Sequence, residues 1–166
     1  MALSIYEVSI PVFLRAFGNL KAILDKAAAQ SAADGADPQK LVEARLAPDM
    51  LPLAGQIQRA SATAKGAGAR LSGVDNPSFA DTETTIAELR ARIGRTVDFL
   101  KSIPPEAFDG GEARTISMRN GAVQLDGKAY LLGHALPNFF FHVTTAYDIL
   151  RHKGIAIGKA DYLGKL

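Results

Sequence analysis

The chain has 166 residues, a formal net charge of +2 and a hydrophobic fraction of 48%. This length and composition predict one folded domain spanning residues 1–166 and exclude an intrinsically disordered chain. The 19 basic and 17 acidic residues are interspersed, so the chain lacks the concentrated basic face with which proteins bind nucleic acid. The absence of cysteine excludes disulfides, thiolate metal sites and a cysteine nucleophile, and it agrees with a reducing cytoplasm.

The N-terminal residues and the apolar stretches predict neither secretion nor membrane insertion. Residues 1–6 lack the basic start and the apolar run of a signal peptide. No stretch of about 18 uninterrupted apolar residues exists that could span a membrane. We therefore expect a soluble, cytoplasmic protein.

A first helix is predicted near the N-terminus. Ser4 and Glu7 have the spacing of a capping box. Pro11 removes a backbone donor further along, which predicts either a kink there or a helix that begins close to Pro11. The small and polar residues 30–37 end this helix.

Two helices follow before the middle of the chain. Asp37-Pro38 is a typical start signal for a short helix that runs to Leu46. A second long helix is predicted from about residue 52 to residue 71. Because it is rich in Ala and Gly, we expect a neighbouring helix to approach it closely.

A third long helix and a β-hairpin come next. Asp81 or Thr82 is expected to cap the helix, and Pro104-Pro105 ends it. Apolar and polar residues then alternate on both sides of Asn120-Gly121, the dipeptide favoured in two-residue hairpin turns. The predicted register places Met118 opposite Val123 and Ile116 opposite Leu125, with all four on one face.

The last long helix is predicted at residues 128–153, and the tail at residues 155–166 is expected to lie along the bundle as an extended segment. Gly154 is placed to end the helix. Four long apolar-striped helices with short connections predict a mainly all-α protein. The expected architecture is an antiparallel four-helix bundle with a small β-hairpin before its last helix.

The only candidate chemical site lies on this last helix. Of the three histidines, His134 and His142 are eight residues apart, about 12 Å along a helix axis, so they cannot share a metal ion. His152 is farther still. Asn138 lies one turn from His142, but an amide oxygen is a weak ligand for zinc or nickel. A histidine and an asparagine at such a position more often satisfy buried polar neighbours.

Phe139, Phe140 and Phe141 cover most of the circumference of one helical turn. Such a helix must be covered on more than one side. Either a homodimer interface covers it, or the hairpin and the C-terminal tail pack against it. We expect the homodimer, since aromatic residues are enriched in interface cores.

Four segments of the chain resemble the bacterial DUF1993 family, a branch of the DinB/YfiT-like superfamily of four-helix bundles. They are residues 6–14, 46–53, 136–152 and 158–164. The resemblance implies a four-helix bundle. It also implies relatives that hold a divalent metal through three histidines, among them thiol-dependent transferases and hydrolases.

Carried onto this chain, that resemblance implies an altered site. His142 matches the second histidine of the family's last-helix motif, but Asn138 stands where the first would be. The second helix contains no histidine, and Gln56 and Asp49 are the nearest polar substitutes. We therefore expect a dimeric binding module without the three-histidine metal site. The alternative is a zinc- or nickel-dependent hydrolase or thiol transferase with an altered ligand set around His142.

Overall fold

In the computed structural model, which describes residues 3–165, four long helical segments form a bundle. They are α1 (Ile10–Ala33), α3 (Leu53–Ser72), α4 (Ile86–Ser102) and a last segment that ends with α6 (Leu136–His152). α1 and α3 lie diagonally opposite, and each packs against both α4 and α6. α3 runs antiparallel to α6 but parallel to α4, because Ser61 and Gly68 of α3 lie beside Arg92 and Leu100 of α4 in the same order. The predicted antiparallel arrangement is therefore wrong for α3 and α4. The predicted fold class, mainly helical with one small hairpin, is confirmed.

The capping box at Ser4 forms as predicted, but α1 begins later. The Ser4 amide donates to Glu7 at 2.8 Å, and the Glu7 amide donates to the Ser4 hydroxyl at 3.2 Å. Residues 5–9 form turns before the helix begins at Ile10, with Pro11 in its first turn. Of the two outcomes predicted for Pro11, the structure has the later start.

The short helix α2 (Gln39–Val42) ends four residues before the predicted Leu46. It leads through a turn into α3, whose close approach to a neighbouring helix is visible at Gly68. A Cβ atom there would lie 2.8 Å from the Leu100 side chain of α4. The small residues of α3 therefore permit the tight α3–α4 contact that their abundance predicts.

The hairpin has the predicted register. β1 (Thr115–Met118) pairs antiparallel with β2 (Val123–Asp126), with Met118 opposite Val123 and Ile116 opposite Leu125. Asn120 and Gly121 take φ values of 55° and 89°, as the favoured hairpin turn requires. Ile116 is buried, so the apolar face of the hairpin packs on the helices.

The predicted last helix is continuous but contains one irregular turn. α5 (Gly127–Tyr130) passes through a π-helical turn at Leu131–Ala135 into α6. The π turn ends just before Pro137, which has no N–H to donate to the preceding turn. At the start of α5, a Cβ on Gly127 would lie 1.8 Å from the Gly111 carbonyl oxygen, so this close backbone contact requires glycine.

Two further sequence predictions are wrong. Thr85 caps α4, not Asp81 or Thr82, and forms a full capping box with Glu88.

The tail is not wholly extended: it contains α7 (Lys159–Leu163), which packs against α1. Tertiary contacts hold α7, including a Lys26–Asp161 ion pair and a hydrogen bond from Asn19 to the Tyr162 carbonyl. Five residues carry too little periodicity to predict a helix from sequence.

Within residues 3–165, no helix is long and apolar enough to cross a membrane.

Candidate functional site

Two of the four predicted site residues are in direct contact across the α3–α6 interface. The Nδ1 atom of His142 on α6 lies 2.7 Å from the Oε1 atom of Gln56 on α3. Gln56 is 1% exposed, whereas His142 is half-buried. The packing of α3 against α6 therefore brings together residues that are 86 positions apart in sequence.

The second hydrogen bond of Gln56 determines which nitrogen of the histidine ring faces it as the donor. The Gln56 amide nitrogen donates to the Leu51 carbonyl oxygen at 3.1 Å. A carbonyl can only accept, so the amide oxygen must be the atom that faces His142. The Nδ1 atom of His142 must then carry the proton and donate it. In the neutral ring, Nε2 is left with the free lone pair.

The surroundings of His142 favour that neutral ring. Burial lowers the pKa of His142 below its ordinary value of 6.5, and the positive charge of Arg59 lowers it further. Both causes disfavour the charged imidazolium. His142 is therefore a neutral hydrogen-bond donor at Nδ1 around pH 7.

Asn138 is held by a different partner. Its side-chain nitrogen donates to the Thr63 hydroxyl of α3 at 2.8 Å. Thr63 lies two helical turns from Gln56 on the same face of α3. Asn138 and His142 thus both face α3, as their spacing predicts, but each is paired to its own residue there.

Asp49 does not join the other three residues. It lies exposed in the turn before α3, and none of the hydrogen bonds or ion pairs among residues 3–165 involves its carboxylate. Asp49 does not cap α3 either, because Pro52 occupies the N-cap position of that helix without a side-chain cap. α3 begins at Leu53, four residues after Asp49.

The donor set around His142 does not fit a three-ligand metal centre. Gln56 uses its oxygen on His142 and its nitrogen on Leu51, and Asn138 is occupied by Thr63. In the described part of the chain, no three His, Asp or Glu side chains are grouped as metal ligands. A single Nε2 lone pair on His142 is the one strong donor that this set offers to a metal.

The other two histidines lie apart from this pair, in agreement with their predicted separation. His134 is exposed in the π turn, with its ring 5.9 Å from that of Tyr130, and His152 is exposed in the last turn of α6.

A third cross-helix contact was missed by the sequence reasoning. The Arg70 guanidinium of α3 donates to the Tyr130 hydroxyl of α5 at 3.3 Å and lies 5.8 Å from the centre of the Tyr130 ring. Gln56, Thr63 and Arg70 are seven residues apart, which places them on one face of α3. Polar residues at this spacing in an Ala- and Gly-rich helix are the sequence signal that could have identified this face.

Behind this face, a buried ionic cluster holds the 73–85 loop on α3 and α4. Arg92 is 1% exposed and bonds to the Ser61 hydroxyl of α3 at 3.1 Å. Its guanidinium also pairs with Asp81 at 2.9 Å and with Glu83 at 3.1 Å. Burial by itself raises the pKa of Glu83, but hydrogen bonds from Gln58 and the backbone, together with Arg92, outweigh it and lower the pKa.

The phenylalanine run faces three different surroundings. Phe139 is fully buried, with ring centres of Phe13 and Phe17 at 4.8 Å and 5.1 Å. Phe140 is half-buried and lines a small apolar cavity with Tyr162 and Leu163 of α7. Phe141 remains 54% exposed. The core and the tail therefore account for the first two rings, but not for Phe141.

Comparison with known proteins supports the same assignment of fold and family. The family model described as "Domain of unknown function (DUF1993)" matches residues 5–163. A crystal structure of a DinB family member from Shewanella denitrificans is similar over 97% of this chain and 92% of that chain, with a TM-score of 0.93 and 40% identity. No curated protein matches the chain. With a family match over nearly its whole length and a DinB-like fold, the chain belongs to the DUF1993 family.

Proposed function

We propose that this protein is a ligand-binding module whose site lies on the α3–α6 face and works without the three-histidine metal centre of its superfamily. The observation that carries this proposal is the pairing of His142 with Gln56. Gln56 is held by the Leu51 carbonyl, so the pair has a defined orientation before any ligand arrives. Fixed, partly exposed polar groups beside apolar side chains are typical of small-molecule sites.

The residues at the superfamily's metal positions support binding over metal catalysis. A catalytic metal site needs several strong ligands and an open coordination position. Here Asn138 and Gln56 are amides that are already hydrogen-bonded, and Asp49 forms no hydrogen bond to either of them. The alternative, a zinc- or nickel-dependent hydrolase or thiol transferase, would have to rely on His142 and ligands outside this set.

Elemental analysis of purified protein tests the proposal against this alternative. The protein is analysed as isolated and after incubation with zinc or nickel followed by desalting, beside the His142→Ala variant. We expect substoichiometric metal in both proteins. Stoichiometric metal in the wild type that is lost in His142→Ala would favour the metal-dependent enzyme.

We further propose that the module is a single domain that acts in the cytoplasm as a homodimer and binds no nucleic acid. The exposed Phe141 ring on α6 supports the dimer, since an exposed aromatic side chain of this size is typical of an interface. The absence of cysteine supports the cytoplasm.

A further inference from the structure

A groove of about 520 Å³ opens on the α3–α6 face next to Asn138. It is bounded by α3, by the segment from Tyr130 to Asn138 and by the tip of the hairpin. Its polar lining includes Arg59, Thr63, Arg70, Arg119, Tyr130 and His134. Met118 and Val123 of the hairpin give it an apolar wall.

The arginine side chains that line this groove give it a positive charge. Arg59, Arg70 and Arg119 reach it from two separate elements, and its lining contains no acidic residue. Among residues 3–165, the ion pairs use other cations and leave these three guanidinium groups without a carboxylate partner. Positive groups that converge on a concave surface attract anions, and the guanidinium fork matches carboxylate and phosphate oxygens.

Arg70 is positioned before any ligand binds. The Tyr130 hydroxyl accepts its hydrogen bond at 3.3 Å, and Gly66 makes room for it, because a Cβ there would lie 2.5 Å from the Arg70 Nη1 atom. Burial raises the pKa of Tyr130, although the charge of Arg70 partly offsets this. The hydroxyl therefore stays protonated at neutral pH.

The spacing of the arginines defines the shape of the ligand. Arg59 and Arg70 are eleven residues apart on α3, which is about 16 Å along the helix axis. Arg119 lies across the groove on the hairpin, with a left-handed φ of 51° that is unusual for a residue with a side chain. Because the three arginines come from positions spread along α3 and across the groove, an extended anion with two acidic groups fits them better than one compact anion.

We propose that this groove binds a small extended organic anion with at least two acidic groups, carboxylate or phosphate, joined by a short apolar body. This inference rests on the proposed binding function and names its ligand class. The acidic groups contact Arg70 on α3 and Arg119 on the hairpin, while the apolar body packs on Met118 and Val123.

Isothermal titration calorimetry at low salt tests this assignment. The probes are linear dicarboxylates from succinate to sebacate, hexane-1,6-diyl bisphosphate, and hexanoate as the singly charged control. The protein variants are Arg70→Gln and Arg119→Gln, with Arg151→Gln as the matched control, because Arg151 is exposed on α6 outside the groove.

We expect saturable binding of at least one doubly acidic probe. Whether a dicarboxylate or the bisphosphate binds shows which acidic group the ligand carries. The affinity should fall at least tenfold in Arg70→Gln and Arg119→Gln, fall with added salt, and stay unchanged in Arg151→Gln. The assignment is overturned if no doubly acidic probe binds, if hexanoate binds equally well, or if all three variants behave alike.

The anion titrations and the metal analysis test different claims, so either claim can fail without the other. Stoichiometric metal on His142 together with adipate binding through Arg70 would overturn the proposed function and keep the ligand class. Metal-free protein that binds none of the anions would overturn the ligand class alone.

Discussion

At His142, the buried side chain of Gln56 determines which ring nitrogen carries the proton. Gln56 is held by the Leu51 carbonyl, and its oxygen accepts from Nδ1. Second partners of this kind orient histidines in many functional sites. Here the orienting partner is an amide, which leaves the ring uncharged, whereas a carboxylate would favour the imidazolium.

The depressed pKa of His142 predicts a pH dependence of stability. In the unfolded chain the ring takes up a proton near its ordinary pKa of 6.5, but the folded protein holds it neutral to lower pH. The unfolded state therefore binds more protons in that window, and the free energy of unfolding falls as the pH drops below about 6.5. Urea unfolding between about pH 7.5 and about pH 5.5 measures this decrease in the free energy of unfolding. The decrease should be smaller in the His142→Asn variant.

NMR titration of the His142 ring separates the two causes of its lowered pKa, which are burial and the positive charge of Arg59. Arg59→Gln removes the nearby positive charge, so the pKa of His142 should rise. It should stay below 6.5 because burial is the larger cause. A wild-type pKa at or above 6.5 would contradict the assignment of His142 as a neutral donor.

At the scale of elements, the 73–85 loop is attached to α3 and α4 by charges buried between them. Glu83 receives hydrogen bonds from Arg92, Arg95 and Gln58, and its side chain is only 4% exposed. The ring of Phe79 lies 5.1 Å from the Lys65 ammonium and 4.9 Å from the Arg95 guanidinium. This attachment anchors the loop on the side of α3 that faces away from α6.

Arg92→Met is expected to destabilise the protein by about 3–5 kcal/mol, because it leaves the buried Glu83 carboxylate without its buried partner. Arg95→Met is the matched control. Arg95 pairs with the same carboxylate, but its side chain is 53% exposed, so the expected cost is about 0–1 kcal/mol. Urea unfolding measures both variants, and equal costs would contradict a role for the buried pair.

The same cluster explains why one element boundary could not be predicted. Asp81 was expected to cap α4, but its carboxylate pairs with Arg92 from the middle of that helix. This long-range contact is invisible in a local pattern. The true cap did leave a local signal, since Thr85 and Glu88 have capping-box spacing.

Patterns with local causes were predicted well. The hairpin register follows from Asn120-Gly121, and the pairing of β1 with β2 confirms it. The cross-helix partners of His142 and Asn138 depend on how α3 packs against α6, so the sequence could offer only Gln56 and Asp49 as candidates. Arg59, Arg70 and Arg119 were overlooked because exposed arginines resemble ordinary solvated residues until the fold places them on one groove.

At the scale of the whole molecule, variants of two neighbouring phenylalanines distinguish a residue needed for folding from one proposed to mediate dimerisation. Phe139→Ala removes a fully buried ring and should cost about 3–5 kcal/mol of stability. Phe141→Ser changes an exposed ring and should instead turn the proposed dimer into a monomer. Light scattering at micromolar concentration measures the assembly, with the wild type beside both variants. A monomeric wild type would contradict the proposed dimer and the interface role of Phe141.

The most direct test of the binding function is the chemical state of the His142 ring. Long-range ¹H–¹⁵N NMR of the protein near pH 7 distinguishes the two nitrogens, and His142→Asn assigns the signals. We predict a neutral ring with the proton on Nδ1, and the same signals after one equivalent of zinc or nickel is added. A proton on Nε2, or loss of the Nε2 signal on adding one equivalent of metal, would contradict the account.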